Sequence, residues 1–207
     1  MSILDLPVDV IALVALDLDL PNILSLCESN VKFNRAVCKK ESFWLNKLLK
    51  DFPEYKKLKE NYRETYKLLY NLTQLKKKLN LDGTVDKIYE MKRVNLDDKR
   101  LKEIPKELGS LPNLQTLFLP DNQISTIPKE LGNLHNLQEL NLSNNRISTI
   151  PKELGNLHNL EILDLDNNQI STIPKELSSL HNLQSLYLGS NPIKEISEGL
   201  EHLLIQR

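Results

Sequence analysis

Hydrophobic residues recur with one fixed spacing along the C-terminal half of the chain. From Leu114, the order Leu-x-x-Leu-x-Leu-x-x-Asn-x-Ile-x-x-Ile-Pro-x-x-Leu-x-x-Leu returns at Leu137, Leu160 and Leu183, a period of 23 residues. The same slots are filled one period earlier, from Met91 onward, so five repeats cover about residues 91–205. A leucine pattern of this period is typical of a solenoid, in which each repeat stacks on the next.

Two apolar spacings alternate within each repeat. Leu140 and Leu142 lie two apart, as in a strand, whereas Leu154 and Leu157 lie three apart, as in a helical or 3₁₀ turn. One repeat cannot bury its own leucines, so stacked neighbours must share one core. We therefore predict an α/β solenoid of five repeats with a parallel sheet on its concave face and short helices outside.

This pattern resembles the leucine-rich-repeat family, which implies a non-enzymatic, protein-binding solenoid. In that family a buried asparagine bonds the backbone of adjacent turns as a ladder, because an amide both donates and accepts hydrogen bonds. The resemblance assigns this role to Asn122, Asn145, Asn168 and Asn191. Lys99 occupies the same slot in the first repeat.

The binding face is predicted from the contrast between two sides of the repeats. Residues 124–137 and 147–160 are identical, whereas the solvent-facing strand positions differ from repeat to repeat. Aromatic side chains anchor interfaces, and an acidic surround favours a partner with basic residues. The predicted concave binding face comprises Arg93, Asp97, Phe118, Glu139, Asn141, Ile162, Asp164, Asp166 and Tyr187. The alternative is a solvated sheet face with isolated exposed apolar groups.

Short helices are predicted in the N-terminal third. An opening turn at Leu6-Pro7 precedes a helix from Val8 to Leu16, and others begin at Pro21, after Asn30, and at Glu41, the last ending at Phe52. Proline at a first helical position and asparagine at a cap are common start signals. A helical unit of this size is marginal alone and would gain stability by docking on an apolar surface.

The apolar positions of these helices resemble the F-box family. They run through Leu6-Pro7, Ile23, Phe33 and Phe43-Trp44. The resemblance implies binding to the Skp-type adaptor of cullin ubiquitin ligases, with a C-terminal repeat domain that selects the substrate. It gives Trp44 as a core residue and the adaptor-facing residues as Leu6, Pro7, Val10, Ile11, Leu16, Leu24 and Leu26. The alternative is that these helices only cap the solenoid.

A basic amphipathic helix is predicted over residues 56–79, which carry eight basic and two acidic side chains. Its apolar stripe, which includes Tyr66, Leu69 and Leu75, is expected to cover the open end of the first repeat. A membrane-surface or nucleic-acid role for Lys76, Lys77 and Lys78 is an alternative. The predicted domains are residues 1–55, F-box-like; 56–90, helix and connector; and 91–207, leucine-rich repeats.

Composition restricts the function classes. The chain is 40% hydrophobic and 27% charged, as in a soluble globular protein, and its formal net charge of −1 provides no basic field for nucleic acid. Neither a leader peptide nor a membrane span fits the N-terminus, so a cytoplasmic or nuclear location is expected. Cys27 and Cys38 are predicted to be reduced, partly buried thiols rather than a disulfide or zinc ligands.

No catalytic, cofactor-binding or metal-binding motif is found in the sequence. The leading hypothesis is a substrate receptor of a Skp–cullin–F-box ubiquitin ligase that binds a protein target on the concave face. The alternative is a free-standing repeat scaffold or sequestering protein. A thioester-forming cysteine is a third hypothesis, but no histidine or other base lies beside Cys27 or Cys38 in the sequence. A monomer without nucleic-acid or membrane partners is expected.

Overall fold

The computed structural model of the chain describes residues 6–53 and 61–194. Contacts divide the chain into two compact units, residues 1–73 and 74–207, and the division falls within one long helix. The helices are α1 (Val8–Ala15), α2 (Leu20–Ser29), α3 (Val31–Phe33), a π-helical turn (Asn34–Cys38), α4 (Glu41–Asp51), α5 (Tyr62–Leu79) and α6 (Val85–Tyr89). Residues 56–60, where the helix over 56–79 was predicted to begin, lie outside the described residues.

Side-chain caps begin the first-unit helices near their predicted positions. The Asp19 carboxylate accepts from the Asn22 N–H at the start of α2, where Pro21 occupies the first turn. The Asn30 side chain accepts from the Phe33 N–H at the start of α3. Each cap satisfies a backbone donor that has no intrahelical partner. The segment after Asn30 forms a short α-helix and a π-turn rather than one regular helix.

Trp44 forms the centre of the first unit's core. Its indole is fully buried, lies 5.2 Å from the Phe43 ring and 5.7 Å from the Tyr66 ring, and donates to the Cys38 carbonyl at 3.1 Å. Tyr66 also donates to the Asp51 carboxylate at 2.6 Å. The first part of α5 therefore packs on α4, and Tyr66, which was predicted to lie on the stripe that covers the first repeat, belongs to the core of the first unit.

A buried lysine on α4 was missed by the hydrophobic pattern. The Lys47 ammonium donates to the Leu16 carbonyl at 2.7 Å, just after α1, and pairs with the Asp51 carboxylate at 2.8 Å. A buried charge is tolerated when it is paired and hydrogen-bonded in this way. Lys47 therefore ties the end of α1 to α4.

The two cysteines correct one prediction. Cys27 on α2 and Cys38 in the π-turn form a disulfide, with their Cα atoms 6.2 Å apart, rather than remaining free thiols. This Cα distance is within the range that a disulfide can span. The π-turn packs against α2 and brings together two residues that are 11 apart in sequence.

The second unit is the predicted leucine-rich-repeat solenoid. Its strands form a five-stranded parallel sheet in chain order, with the central residue of every strand buried. The strands are β1 (Arg93–Asn95), β2 (Thr116–Phe118), β3 (Glu139–Asn141), β4 (Ile162–Asp164) and β5 (Ser185–Tyr187). A 3₁₀ helix follows each of the first four strands, at Lys106–Ser110, Lys129–Asn133, Lys152–Asn156 and Lys175–Ser179.

A ladder of buried asparagine side chains joins successive turns. The Asn168 amide donates to the Leu142 carbonyl at 2.9 Å, and its oxygen accepts from the Ile147 N–H at 2.9 Å. Asn122, Asn145 and Asn191 make the equivalent bonds to the preceding turn. These side chains satisfy backbone groups that stacking removes from water.

A second ladder on the outer side was not predicted. Its amides donate to the carbonyl of the residue 24 positions earlier, at distances of 2.7–3.1 Å. The donors are Asn113, Asn136, Asn159 and Asn182, and the acceptors are Tyr89, Pro112, His135 and His158. The outer segments therefore have a structural reason to repeat.

Close stacking of the 3₁₀ helices also restricts the outer segments. A Cβ on Gly132 or Gly155 would lie 2.4 Å from the carbonyl oxygen of Glu153 or Glu176, respectively, in the next turn. No side chain fits at that distance without moving the backbone. Packing therefore explains why glycine recurs at residues 132 and 155 within the two identical segments.

The start of the solenoid is covered by residues within its own unit. Lys78, at the end of α5, pairs with the Glu107 carboxylate of the first repeat at 2.9 Å, and Asn113 donates to the Tyr89 carbonyl after α6. Leu75 and Ile88 are fully buried. The short helix α6 was not predicted and lies in the segment assigned as a connector.

We expect Asn168→Ala to destabilise the solenoid, because buried backbone groups lose their partner at roughly 1–3 kcal/mol each. Asn167→Gly is the control, because Asn167 is exposed and has a φ of 54°, which glycine adopts without strain. Urea denaturation should give a clearly lower midpoint for Asn168→Ala than for Asn167→Gly. Equal midpoints would show that the ladder does not contribute to stability.

Candidate protein-binding site

Five side chains form a row across the strand face, which comprises the outward positions of β1–β5 and the residue two beyond each strand. Parallel register aligns the last residue of every strand, so that Asn95, Phe118, Asn141, Asp164 and Tyr187 are successive neighbours. All five are at least partly exposed. The predicted partner-binding residues on this sheet therefore form a continuous surface.

Polar residues in this row have a local structural role. The side chains of Asn95, Asn141 and Asp164 each accept from the N–H of the residue two positions later, at 3.0 Å. This is the side-chain-to-backbone bond that asparagine and aspartate favour in turns. Phe118 and Tyr187 lack an acceptor for it, so the turn geometry does not explain why these two slots are aromatic.

At the β1–β2 end of the strand face, which we call the first end, a cation lies over an aromatic ring. The Arg93 guanidinium carbon lies 5.0 Å from the Phe118 ring centroid, a cation–π distance. Arg93 remains exposed and Phe118 is partly exposed. A partner at this end would meet a positively charged group and an aromatic ring that is already partly covered.

Carboxylates dominate the other end of the strand face. Asp164 accepts from the Asn141 amide at 3.0 Å, and Asp166 accepts from the Gly189 N–H at 2.5 Å. Burial is the main cause that raises the pKa of Asp164, and the nearby Asp166 carboxylate adds to it, against the lowering effect of the Asp166 N–H bond. Within the described residues, no ion pair includes Asp164, Asp166 or Glu139.

The outer histidines do not converge. His135, His158 and His181 are exposed and lie one to a turn, and the His158 Nδ1 atom is 3.4 Å from the Ser179 carbonyl. In the part of the chain that the structure describes, no three His, Cys, Asp or Glu side chains form a metal site.

A second exposed surface lies on α1 in the first unit. Leu13, Val14 and Val10 are 65%, 40% and 37% exposed, so the helix presents an apolar face to solvent. A groove of about 320 Å³ runs beside it, lined by Ala12, Leu13, Leu16, Lys40, Ser42, Phe43 and Asn46. This apolar face is of the kind that marks a docking site.

The structure revises the residues of this face. Ile11, predicted to face the adaptor, is fully buried, because it and Ala15 lie one turn apart on the inward side of α1. Pro7 is exposed, and Leu6, Leu16, Leu24 and Leu26 are partly exposed. Leu13 was missed, and Val14, although part of the F-box resemblance, was not assigned to the adaptor-facing set, because apolar residues surround most of α1 and leave little contrast between its faces.

Comparisons with known proteins agree with the fold of the second unit. A family profile described as leucine rich repeat matches residues 90–147 and 135–193, together about half of the chain. No curated protein gives a significant match. Within the described residues, no helix combines the length and apolarity needed to cross a bilayer.

Solved structures resemble part of the chain. Internalin C2 of Listeria monocytogenes is 35% identical, with a TM-score of 0.50, over 56% of this chain and 49% of that one. A leucine-rich-repeat protein of Leptospira interrogans is 48% identical, with a TM-score of 0.44, over 47% and 24%. The BIR3–SERK2 complex of Arabidopsis thaliana is 34% identical, with a TM-score of 0.45, over 50% and 56%. The chain covers less than two thirds of each of these proteins.

We expect the stability of Asp164→Asn relative to the native chain to increase as the pH rises toward 7, because the raised pKa means that the ionised native carboxylate costs the folded state free energy. That cost is complete above the folded pKa and is lost as the pH falls to the unfolded value, about 3.9. The variant also loses the bond from the Asn141 amide, which lowers its stability at every pH. The difference in urea midpoint between the two chains should therefore shift toward the variant at neutral pH and away from it on acidification. The exposed Asp97→Asn is the control and should change little. A gain that grows as the pH falls would contradict this explanation.

Proposed function

We propose a function from one premise: this chain belongs to the leucine-rich-repeat family. It is an interaction scaffold, and we propose that the strand face of its second unit binds a protein target. One observation carries this proposal. Phe118 and Tyr187 replace the hydrogen-bonding side chains that Asn95, Asn141 and Asp164 supply at the same slot. Partly exposed aromatic residues without such a structural role are suited to anchor a partner.

The finer proposal is a substrate receptor of a Skp–cullin–F-box ubiquitin ligase. The F-box resemblance of the first unit supports it, as does the apolar face formed by Val10, Leu13 and Val14 on α1. A Skp-type adaptor would cover this face, while the strand face would hold the protein to be ubiquitylated. The receptor itself would do no chemistry. A cytoplasmic or nuclear location is part of this proposal, because the ligase works there.

The disulfide supports a second candidate function. Cys27 and Cys38 are bonded, and disulfides persist mainly in oxidising compartments. This observation favours a free-standing repeat scaffold that binds its partner without a ligase. Both candidates use the strand face for the target, so adaptor binding distinguishes them.

We expect the full-length chain to bind a purified Skp-type adaptor and Leu13→Asp to abolish that binding, because a carboxylate would enter an apolar interface. Leu49→Asp is the matched control, since Leu49 is 53% exposed but lies on α4. Calorimetry with the three purified chains measures both effects. No binding by the native chain would reject the ligase proposal and leave the scaffold, and equal loss in both variants would show that α1 is not the contact.

We expect Phe118→Ala combined with Tyr187→Ala to weaken target binding by about 30-fold or more, since truncating an interface anchor typically costs about 2 kcal/mol or more. The partner is first identified by cross-linking to the native chain and then purified for affinity measurements. His135→Ala combined with His158→Ala should leave binding intact, because these side chains lie on the outer loops. The opposite result would place the binding face on the outer side.

A further inference from the structure

The two ends of the strand face differ in charge, and this difference identifies the chemistry of the partner. At the first end, Arg93 covers the Phe118 ring. On β3–β5 and the residues two beyond them, the outward side chains include Glu139, Asp164 and Asp166 but no cation. A segment that crosses this end of the sheet would be attracted if it carried positive charge.

The negative charge of Asp164 is not required by the turn that follows β4. Its Oδ1 atom accepts from the Asp166 N–H at 3.0 Å, and the neutral amides of Asn95 and Asn141 make the same bond at the same slot with the same length. An asparagine at residue 164 would therefore satisfy the turn through its Oδ1 atom, but its Nδ2 atom could not accept from the Asn141 amide as the Asp164 Oδ2 atom does. The carboxylate adds a partly buried charge that the turn does not need.

That charge carries a cost in the free chain. Asp164 is desolvated and lies near a second carboxylate, and among the described residues no cation forms an ion pair with it. A cation supplied by a partner would offset the repulsion and the lost hydration. Charge-assisted hydrogen bonds to a carboxylate are stronger than those between neutral groups.

Tyr187 supplies an aromatic ring beside these carboxylates. It is the direct neighbour of Asp164 across the β4–β5 pair, where adjacent strands lie about 4.8 Å apart. The same sheet already holds a guanidinium over an aromatic ring of this slot, in the contact of Arg93 with Phe118. Tyr187 is likewise partly exposed, and a planar guanidinium can stack on a ring while bonding carboxylates.

We propose that Asp164, Asp166 and the Tyr187 ring bind an arginine side chain in an extended segment of the protein target. This inference rests on the proposed function, because it assigns chemistry to the same strand face. The carboxylates pair with the guanidinium while its plane stacks on Tyr187. Arg93 at the opposite end repels a second cation and so favours one orientation of the segment.

The probe is a capped Gly-Gly-Arg-Gly-Gly peptide, with citrulline replacing arginine as the neutral, nearly isosteric control. Binding to the full-length ¹⁵N-labelled chain is followed by chemical-shift titration. We expect the arginine peptide to bind about tenfold or more tightly than the citrulline peptide, because a bond to a charged group contributes about 1.5–3 kcal/mol. Equal affinities, or an equally tight lysine peptide, would overturn the assignment to arginine.

Matched variants locate the site. Asp164→Asn keeps the turn bond and should weaken the arginine peptide about tenfold while leaving the citrulline peptide unchanged. Asp97→Asn removes the same charge from the slot that Asp166 occupies, but in the first repeat, and should have little effect. Equal weakening by both variants would mean diffuse attraction to net charge and would overturn the proposal.

The outcomes separate this inference from the proposed function. If the arginine peptide fails to bind but Phe118→Ala with Tyr187→Ala still weakens capture of the identified target, the strand face binds proteins by other chemistry and only this inference fails. If that aromatic pair has no effect on capture, the proposed function fails as well.

Discussion

Stacking one turn of chain on the next buries backbone polar groups that water can no longer satisfy, and the solenoid depends on how these groups find partners. Asn122, Asn145, Asn168 and Asn191 supply partners on the sheet side, and a second set of asparagines does so on the outer side. An unsatisfied buried group costs about 1–3 kcal/mol, so each turn must present its amide at the same place. A constant repeat length and a parallel register meet this requirement.

The same requirement leaves few positions free for function. Leucines fill the core, asparagines satisfy the backbone, and Gly132 and Gly155 allow the close approach of adjacent 3₁₀ helices. Even the polar residues of the strand face contribute, since Asn95 and Asn141 bond their own turns. An aromatic ring or an extra charge at one of these positions is therefore evidence of function, because the repeat structure does not require it. Phe118, Tyr187 and Asp164 are conspicuous because the repeat does not need what they add.

Within the described residues, the helical unit has no repeated backbone ladder to maintain, and it exposes more large apolar side chains than the solenoid does. Trp44 and Tyr66 build its centre, and Lys47 and Asp51 pair within it. With its inward side formed by Ile11 and Ala15, α1 leaves Leu13 and Val14 in water. In a unit this small, the apolar area left exposed on α1 is a substantial fraction of the area that folding can bury. A binding role for α1 would put that surface to use.

Periodicity alone was sufficient for the solenoid, because strand alternation and repeat stacking are local rules that each turn applies again. The strand positions of Phe118, Asp164 and Tyr187 could be predicted in the same way, whereas the helix starts near Pro21 and after Asn30 were predicted from proline and cap signals. Tertiary packing decided the contacts between residues that lie far apart in the sequence. It buried Ile11 and Lys47, brought Cys27 to Cys38 and turned Tyr66 toward Trp44. It also placed Arg93 over Phe118 and, in the part of the chain that the structure describes, formed no ion pair with Asp164, because such contacts depend on which side chains neighbouring turns bring together.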